Sequence, residues 1–493
     1  VKRQALGATR SEVDRRWWIL AVLAIAQLMI VVDASIVNVA LPSAEKALGI
    51  STADRQWVVT AYTLTFGGLL LLGGRIADYA GRKRVMIAGL LGFAAASALG
   101  GLAPDATMLF LARAVQGGFA ALLAPAALSL LNVTFTDARD RARAFGVYGA
   151  IAGGGLAIGL VAGGVLTQYA SWRWCLLVNV PISIAAAIGA LILIPESRVI
   201  GRTRYDVPGA ISSTAGLVAL VYGFTEASTH GWGAPLTLIL LAAGVTLLAG
   251  FALIETRSPQ PLLPLRVLTE RNRGGSFIAT ALVGMGIMGT FLFLTFYLQQ
   301  TLHYSALKTG FAYLPFSVGI VGGAVAASRL LTLVRPRVSM GIGLMLAIAG
   351  MMWFTQIGVH SAYLVHIVPA ELVMSFGMGL VFVPVNSTAL IGVSPSDSGV
   401  ASAMINTTQQ VGGSIGTALL NTVATTATVS YIKVHGPASM ALGAVHGYTQ
   451  AFLASAAFLL LALGAVWTLV TAGRLSESDT DPDADLALAP SLA

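Results

Sequence analysis

From residue 17 onward the chain alternates long apolar runs with short polar breaks. The first run, WWILAVLAIAQLMIVVDASIVNVAL at 17–41, is long enough for a helix to cross a hydrocarbon core, which takes about 20 residues. Comparable runs follow at 56–76, 84–103, 107–131, 143–167, 174–194, 208–227, 235–254, 275–299, 309–330, 338–358, 363–385, 400–425 and 449–472. In lipid every backbone N–H and C=O must pair internally, so such runs form helices or closed barrels. Barrel strands alternate at period two over about ten residues. These runs do not alternate, and the expectation is an all-α polytopic membrane protein with 14 spans.

The breaks organise the chain. Residues 1–16 are polar and basic, and the first span has no small-residue cleavage site behind it, so it is expected to be retained. The longest interior break, Glu255 to Gly274 with Pro259, Pro261 and Pro264, reads as a linker. The tail at 473–493 carries Glu477, Asp479, Asp481, Asp483 and Asp485 without an apolar face, and is expected to be disordered and solvated.

Composition agrees with this division: 56% of the 493 residues are apolar and 10% charged. The net charge of +8 would suggest nucleic acid in a soluble protein, but here the cations sit in short loops. With the N-terminus placed inside, 23 of the 29 Lys and Arg fall on the inner side and 5 on the outer, Arg55 among the latter, while Arg113 lies within a span. Positive loops stay in the cytosol, so both termini are expected there, with the protein multi-pass in the cytoplasmic membrane. The single cysteine, Cys175, allows neither an internal disulfide nor a thiolate metal cluster. The chain has no HExxH and no phosphate-binding Gly–Lys–Ser loop.

Three ionisable residues interrupt apolar runs: Asp33, Arg113 and Glu371. An acid inside a membrane helix costs roughly 2.5–3.5 kcal/mol on insertion scales. At 1.5 Å per residue, each lies about 10–12 Å from the outer end of its span, which suggests one shared cavity. A desolvated carboxylate is pushed toward its neutral form and a nearby Arg pulls it back, so such a site suits proton exchange. Gln116, three residues after Arg113, shares its helix face. Asn406, Gln409 and Gln410 would line the cavity or bond across helices. The loop GGRIADYAGRKRV, Gly73 to Val85, combines a glycine turn with Asp78, which can sit at the start of the next helix, and a basic cluster. Glycines 149, 153, 155, 159 and 163 recur near helical spacing; they allow close helix packing or a bendable helix.

Together these motifs resemble the major facilitator superfamily, and within it the fourteen-span drug:proton antiporters. VDASIVNVALP holds Asp33, Asn38 and Pro42, with Ser35 where Thr is usual. Gly74, Asp78, Gly81, Arg82 and Lys83 match the loop motif, with Tyr79 in place of a usual Arg. Arg113, Gln116 and Gly117 match the motif of the fourth span. Gly155, Gly159, Gly163 and Gly164 match the antiporter helix, with Leu160 replacing its usual Pro. SWRWCLLVNVPI, Ser171 to Ile182, also looks like this branch.

The resemblance implies a major facilitator fold: two six-helix bundles at 17–194 and 275–472, with two inserted helices between them at 195–274. It implies rocking of the bundles about a central site. Asp33 would couple protons with Arg113 as its partner or relay, and Asp78 with the basic loop would steady the outward-facing state. Asn38, Gln116, Glu371, Asn406, Gln409 and Gln410 are assigned to the substrate cavity, Glu371 as a selecting acid outside any familiar motif. The expected function is export of hydrophobic drugs or antibiotics, cations included, in exchange for protons. The expected protein is a monomer embedded in lipid, with no nucleic acid, no metal, no cofactor and no enzymatic reaction. Export of a lipid or endogenous metabolite on the same fold is the alternative, and a non-transporting membrane sensor stands behind both.

Overall fold

The computed structural model describes residues 10–52, 54–135, 138–196, 206–258, 261, 263, 265–391, 393 and 398–473. The acidic tail from 474, residues 1–9 and much of the linker sequence lie outside them. The described chain is helical nearly throughout: α1 Arg10–Leu48, α2 Trp57–Ala80, α3 Arg82–Gly101, α4 Ala106–Thr134, α5 Ala138–Tyr169, the short α6 Trp174–Leu177, α7 Asn179–Leu193, α8 Val207–His230 and α9 Pro235–Arg257. After the one-turn α10 Leu265–Thr269 come α11 Arg271–Phe296, α12 Ala306–Ala312, α13 Leu314–Leu333, α14 Pro336–Phe354, α15 Val368–Leu390, α16 Ser398–His435 and α17 Met440–Leu469. Two π-helical turns, Tyr297–Thr301 and Tyr363–Ile367, extend α11 and lead into α15.

Every expected span falls on helical chain, although 174–194 is divided between α6 and α7 and 309–330 between α12 and α13. Among the described residues eleven are long and apolar enough to cross a membrane, and Trp57–Leu70 and Gly155–Tyr169 are shorter apolar stretches. Helix starts follow local chemistry. Asp105 caps α4 by accepting from Met108 N at 2.8 Å, and Glu270 caps α11 by accepting from Asn272 N and Arg273 N at 3.0 and 2.8 Å.

The α2–α3 corner corrects one expectation. Asp78 lies in the last turn of α2, not at the start of α3, because the chain reverses at one residue, Gly81, with φ of +100°. That backbone angle is open to glycine and strained for other residues.

The packing order repeats along the chain. α2 packs on α4, α3 on α4, α1 on α5 and α3 on α7; α13 packs on α15, α14 on α15, α11 on α16 and α14 on α17 in the same sense. α8 and α9 form a hairpin, and α8 lies against both α2 and α16. Thr422 Oγ1 donates to Phe224 O at 3.0 Å and Thr214 Oγ1 to Gly68 O at 3.3 Å, which pins α8 across that seam.

The buried apolar residues of the first helices divide by level, while those of the later helices run in one core from Phe293 near Arg55 to Met340 and Val470 at the other end. Toward the end of the molecule that carries Arg55, one core joins α1, α2 and α4 (Ile36, Val58, Leu109) to α11, α14 and α15 (Phe293, Met351, Met374). Toward the opposite, basic end, Ile19, Leu23, Met86, Leu123 and Ala190 form a separate core of the first helices. Contacts between the two sets of helices include, at the Arg55 end, Gln299 Nε2 donating to Val39 O at 2.8 Å and Gly310 and Gly164 facing the backbone of Leu160 and Ala306 across α5 and α12, and, further along α2 and α16, the Thr63–Ser414 hydroxyl pair at 2.7 Å and Gly67 against Gln410.

Candidate functional site

α1 brings Asp33 to the middle of the first set of helices, where it is fully buried. Its Oδ2 accepts from Arg113 Nη1 at 2.7 Å, and its Oδ1 accepts from Gln116 Nε2 and Asn179 Nδ2, both at 2.7 Å. Arg113 Nη1 also donates to Gln116 Oε1 at 2.7 Å, and its Nε to Val58 O at 2.9 Å. Gln116 Nε2 reaches Ser97 Oγ at 2.8 Å, and the Arg113 guanidinium lies 4.3 Å from the centroid of the Tyr62 ring. One carboxylate thus ties α1, α2, α3, α4 and α7 together.

The energetics of this cluster are finely set. Two ions out of water lose several kcal/mol of hydration each, and a buried pair recovers it only with good geometry and further hydrogen bonds. Three short bonds to a carboxylate, one of them from a cation, supply that compensation. A proton added to Asp33 removes the counter-charge and leaves Arg113 with neutral partners only.

Sequence reading placed Asp33, Arg113 and Gln116 together, and they meet. It missed Asn179 and Ser97 as members; the signal available was an Asn inside the apolar stretch SWRWCLLVNVPI. It also placed Glu371 in the same cavity. The structure sets it apart: Glu371 is fully buried on α15, its field is felt by Tyr313 and Tyr363, and it takes no part in the hydrogen bonds that join Asp33 to Arg113, Gln116 and Asn179. Depth counted along a helix says nothing about azimuth, which is why three residues at one level need not share a cavity.

The remaining expected cavity residues are scattered. Asn38 is buried, but its Nδ2 bonds back to Ala34 O and Ser35 O at 3.2 and 3.4 Å on its own helix. Gln409 and Gln410 are half-buried where α16 meets α11 and α2, beside Gly284 and Gly67, and Asn406 is exposed. In the loop, Lys83 Nζ donates to Leu191 O at 2.7 Å, and Arg84 Nε lies 3.4 Å from Glu196 Oε2. Gly74 stands against Pro125 of α4.

The α5 glycines have a clear function in packing. A Cβ on Gly155 would meet Val31, on Gly159 Ser35 Oγ and Val32 O, and on Gly163 the backbone of Ile36. α1 and α5 therefore touch nearly backbone to backbone along one stripe, while Gly164 faces Ala306 of the second set. With Leu160 in place of the usual Pro, α5 runs unbroken from Ala138 to Tyr169.

A further residue escaped sequence reading. Arg55, expected in an outer loop, is buried. Its Nε donates to Asn421 Oδ1 at 3.3 Å, its guanidinium lies 4.0 Å from the Phe296 ring centroid, and Asn421 Nδ2 returns to Thr52 O at 3.3 Å. Arg55 thus joins the turn between α1 and α2 to α11 and α16. Among the described residues no group of three or more His, Cys, Asp or Glu is placed to hold a metal ion.

Membrane-length helices packed around a buried ion pair define a multi-pass integral membrane protein. The chain belongs to the major facilitator superfamily, whose family profile matches residues 23–417. It is 50% identical over 472 residues to the puromycin resistance protein pur8 of Streptomyces alboniger, covering 94% of this chain and 93% of that one. It is 39% identical to the cephamycin export protein CmcT of Amycolatopsis lactamdurans, covering 88% of each. Among solved structures, a bacterial homologue of the human lysosomal transporter Spinster in an inward-facing, occupied conformation matches with a TM-score of 0.66 at 14% identity, over 94% of this chain and 97% of that one.

Proposed function

We propose that the protein is a proton-coupled antiporter that exports hydrophobic drugs or antibiotics, cations among them, by alternating access. The observation that carries this reading is the Asp33–Arg113 pair, sealed at 2.7 Å and bridging α1 and α4. Protonation of Asp33 breaks the pair and frees α1 to move against α4; loss of that proton restores it. The names of the relatives, puromycin resistance and cephamycin export, support antibiotics as the cargo class.

In this reading 17–194 and 275–472 form two bundles that rock about the central site, and the repeated packing order supports that division. The two helices within 195–274 are the insertion. The basic end faces the cytosol with both termini, in the cytoplasmic membrane, and the shared core at the Arg55 end closes the outer side. Asn38, Gln409, Gln410 and Asn406 line the path, while Gly74, Asp78, Gly81, Arg82 and Lys83 act at the cytosolic corner as the bundles move. The protein works as a monomer, without a cofactor or a catalysed reaction, on the proton gradient alone.

The test is puromycin and dye efflux from everted vesicles under an imposed pH gradient. Wild type is expected to export only with the gradient, and Asp33→Asn to be inserted but inactive. An Asp33→Asn protein that exports at the wild-type rate would overturn the coupling role.

A further inference from the structure

Glu371 stands in the first turn of α15 directly after the π turn Tyr363–Ile367. It is fully buried, and neither carboxyl oxygen has a hydrogen-bond partner. α15 is packed by α11, α13, α14, α16 and the π turn. Of the titratable groups on these elements and their junctions, Tyr313, between α12 and α13, and Tyr363 of the π turn feel the Glu371 carboxyl; among the described residues no charged side chain is paired with it. Both phenols are already engaged, Tyr313 with Thr295 Oγ1 at 2.7 Å and Phe291 O at 3.0 Å, and Tyr363 with Ala312 O at 2.8 Å.

A bare carboxylate cannot persist in such a place, since burial without a partner costs far more than neutralisation. Asp33 is the contrast: equally buried, it has a cation and two amides. A glutamine or leucine would fit this apolar pocket without that liability, and intramembrane acids mark ion and proton paths. The π turn Tyr363–Ile367, a geometry frequent at functional sites, also places this acid beside a segment whose hydrogen bonding can change.

We infer that Glu371 is a second proton-carrying site, lodged among the later helices and separate from the Asp33 cluster. In the conformation shown it holds its proton. When the helices around it part and water enters, the O–H bond breaks, the electron pair stays on the carboxylate, and the proton leaves on water. The cycle then moves one proton more than Asp33 alone provides. This rests on the proton-coupled reading above only for its place in a transport cycle; the protonation itself does not depend on it.

Infrared spectroscopy on the purified protein in lipid nanodiscs reads the acid directly. A carboxylic-acid C=O band absent in Glu371→Gln is expected in wild type and in Asp33→Asn, and it should fall reversibly as pH is raised from mildly acidic to strongly alkaline. A band unaltered across that range, or no band lost in Glu371→Gln, would overturn the proposal. In proteoliposomes loaded with puromycin, Glu371→Gln is expected to exchange one proton fewer per molecule moved than wild type; an unchanged count also overturns it. If puromycin is not moved by wild type, the export reading fails while the band still decides Glu371. Glutamine matches the neutral acid in shape, and the pH course of the wild-type band needs no variant at all.

Discussion

At the scale of single residues, the Asp33 cluster is balanced by charge and not by count of bonds. Arg113→Met removes the cation and leaves a buried carboxylate with two amides. Breaking one side of a buried pair typically costs about 3–5 kcal/mol, so thermal unfolding in detergent should show a large fall in Tm. The double variant Asp33→Asn with Arg113→Met should recover most of that loss, because no unpaired charge remains; a double-mutant cycle measures the difference. If the double variant is as unstable as the sum of the singles, the pair is not the unit of stability here.

At the scale of helices, small residues decide which elements can approach. Gly159 sits where α5 meets the backbone of α1 at Val32 and Ser35. Gly159→Val is expected to abolish efflux while the protein still inserts, since β-carbon and branches would wedge α1 from α5. Gly250 of α9 has open space around its absent Cβ, and Gly250→Val should leave efflux near wild type. Arg55 belongs to this scale as well, because it holds the turn between α1 and α2 to α11 and α16. A hydrogen bond to a charged group contributes about 1.5–3 kcal/mol, so Arg55→Ala should raise the labelling rate of a cysteine placed at Val39 by about tenfold or more. Equal rates would mean that the shared apolar core closes this end unaided.

At the scale of the whole molecule, the two ends differ in how the halves meet. At the Arg55 end one apolar core spans both; at the basic end the first helices keep a core of their own. The α8–α9 hairpin stands outside the repeated packing order, with α8 lying against both α2 and α16. Orientation can be checked with thiol labelling, because the single cysteine, Cys175, is buried. A cysteine at Ser51 should react with an impermeant reagent in intact cells, and one at Arg84 only after lysis. The reverse pattern would invert the proposed topology.

Run length was enough to find an all-helical membrane chain, because the cost of burying unpaired backbone in lipid leaves few alternatives, and eleven helices among the described residues are long and apolar enough to cross a membrane. Asp33, Arg113 and Gln116 were legible for the same reason: a polar side chain in an apolar run must find a partner. The partner's identity was not legible. Asn179 reaches Asp33 across 146 positions, and Arg55 looks like any loop cation until α11 and α16 close over it. Glu371 shared a depth with Asp33 but not a direction, since spacing along a helix fixes height and leaves rotation to packing. Azimuth, helix neighbours and the closing of one end are set by side-chain contacts between segments far apart in the chain, and those exist only in the folded protein.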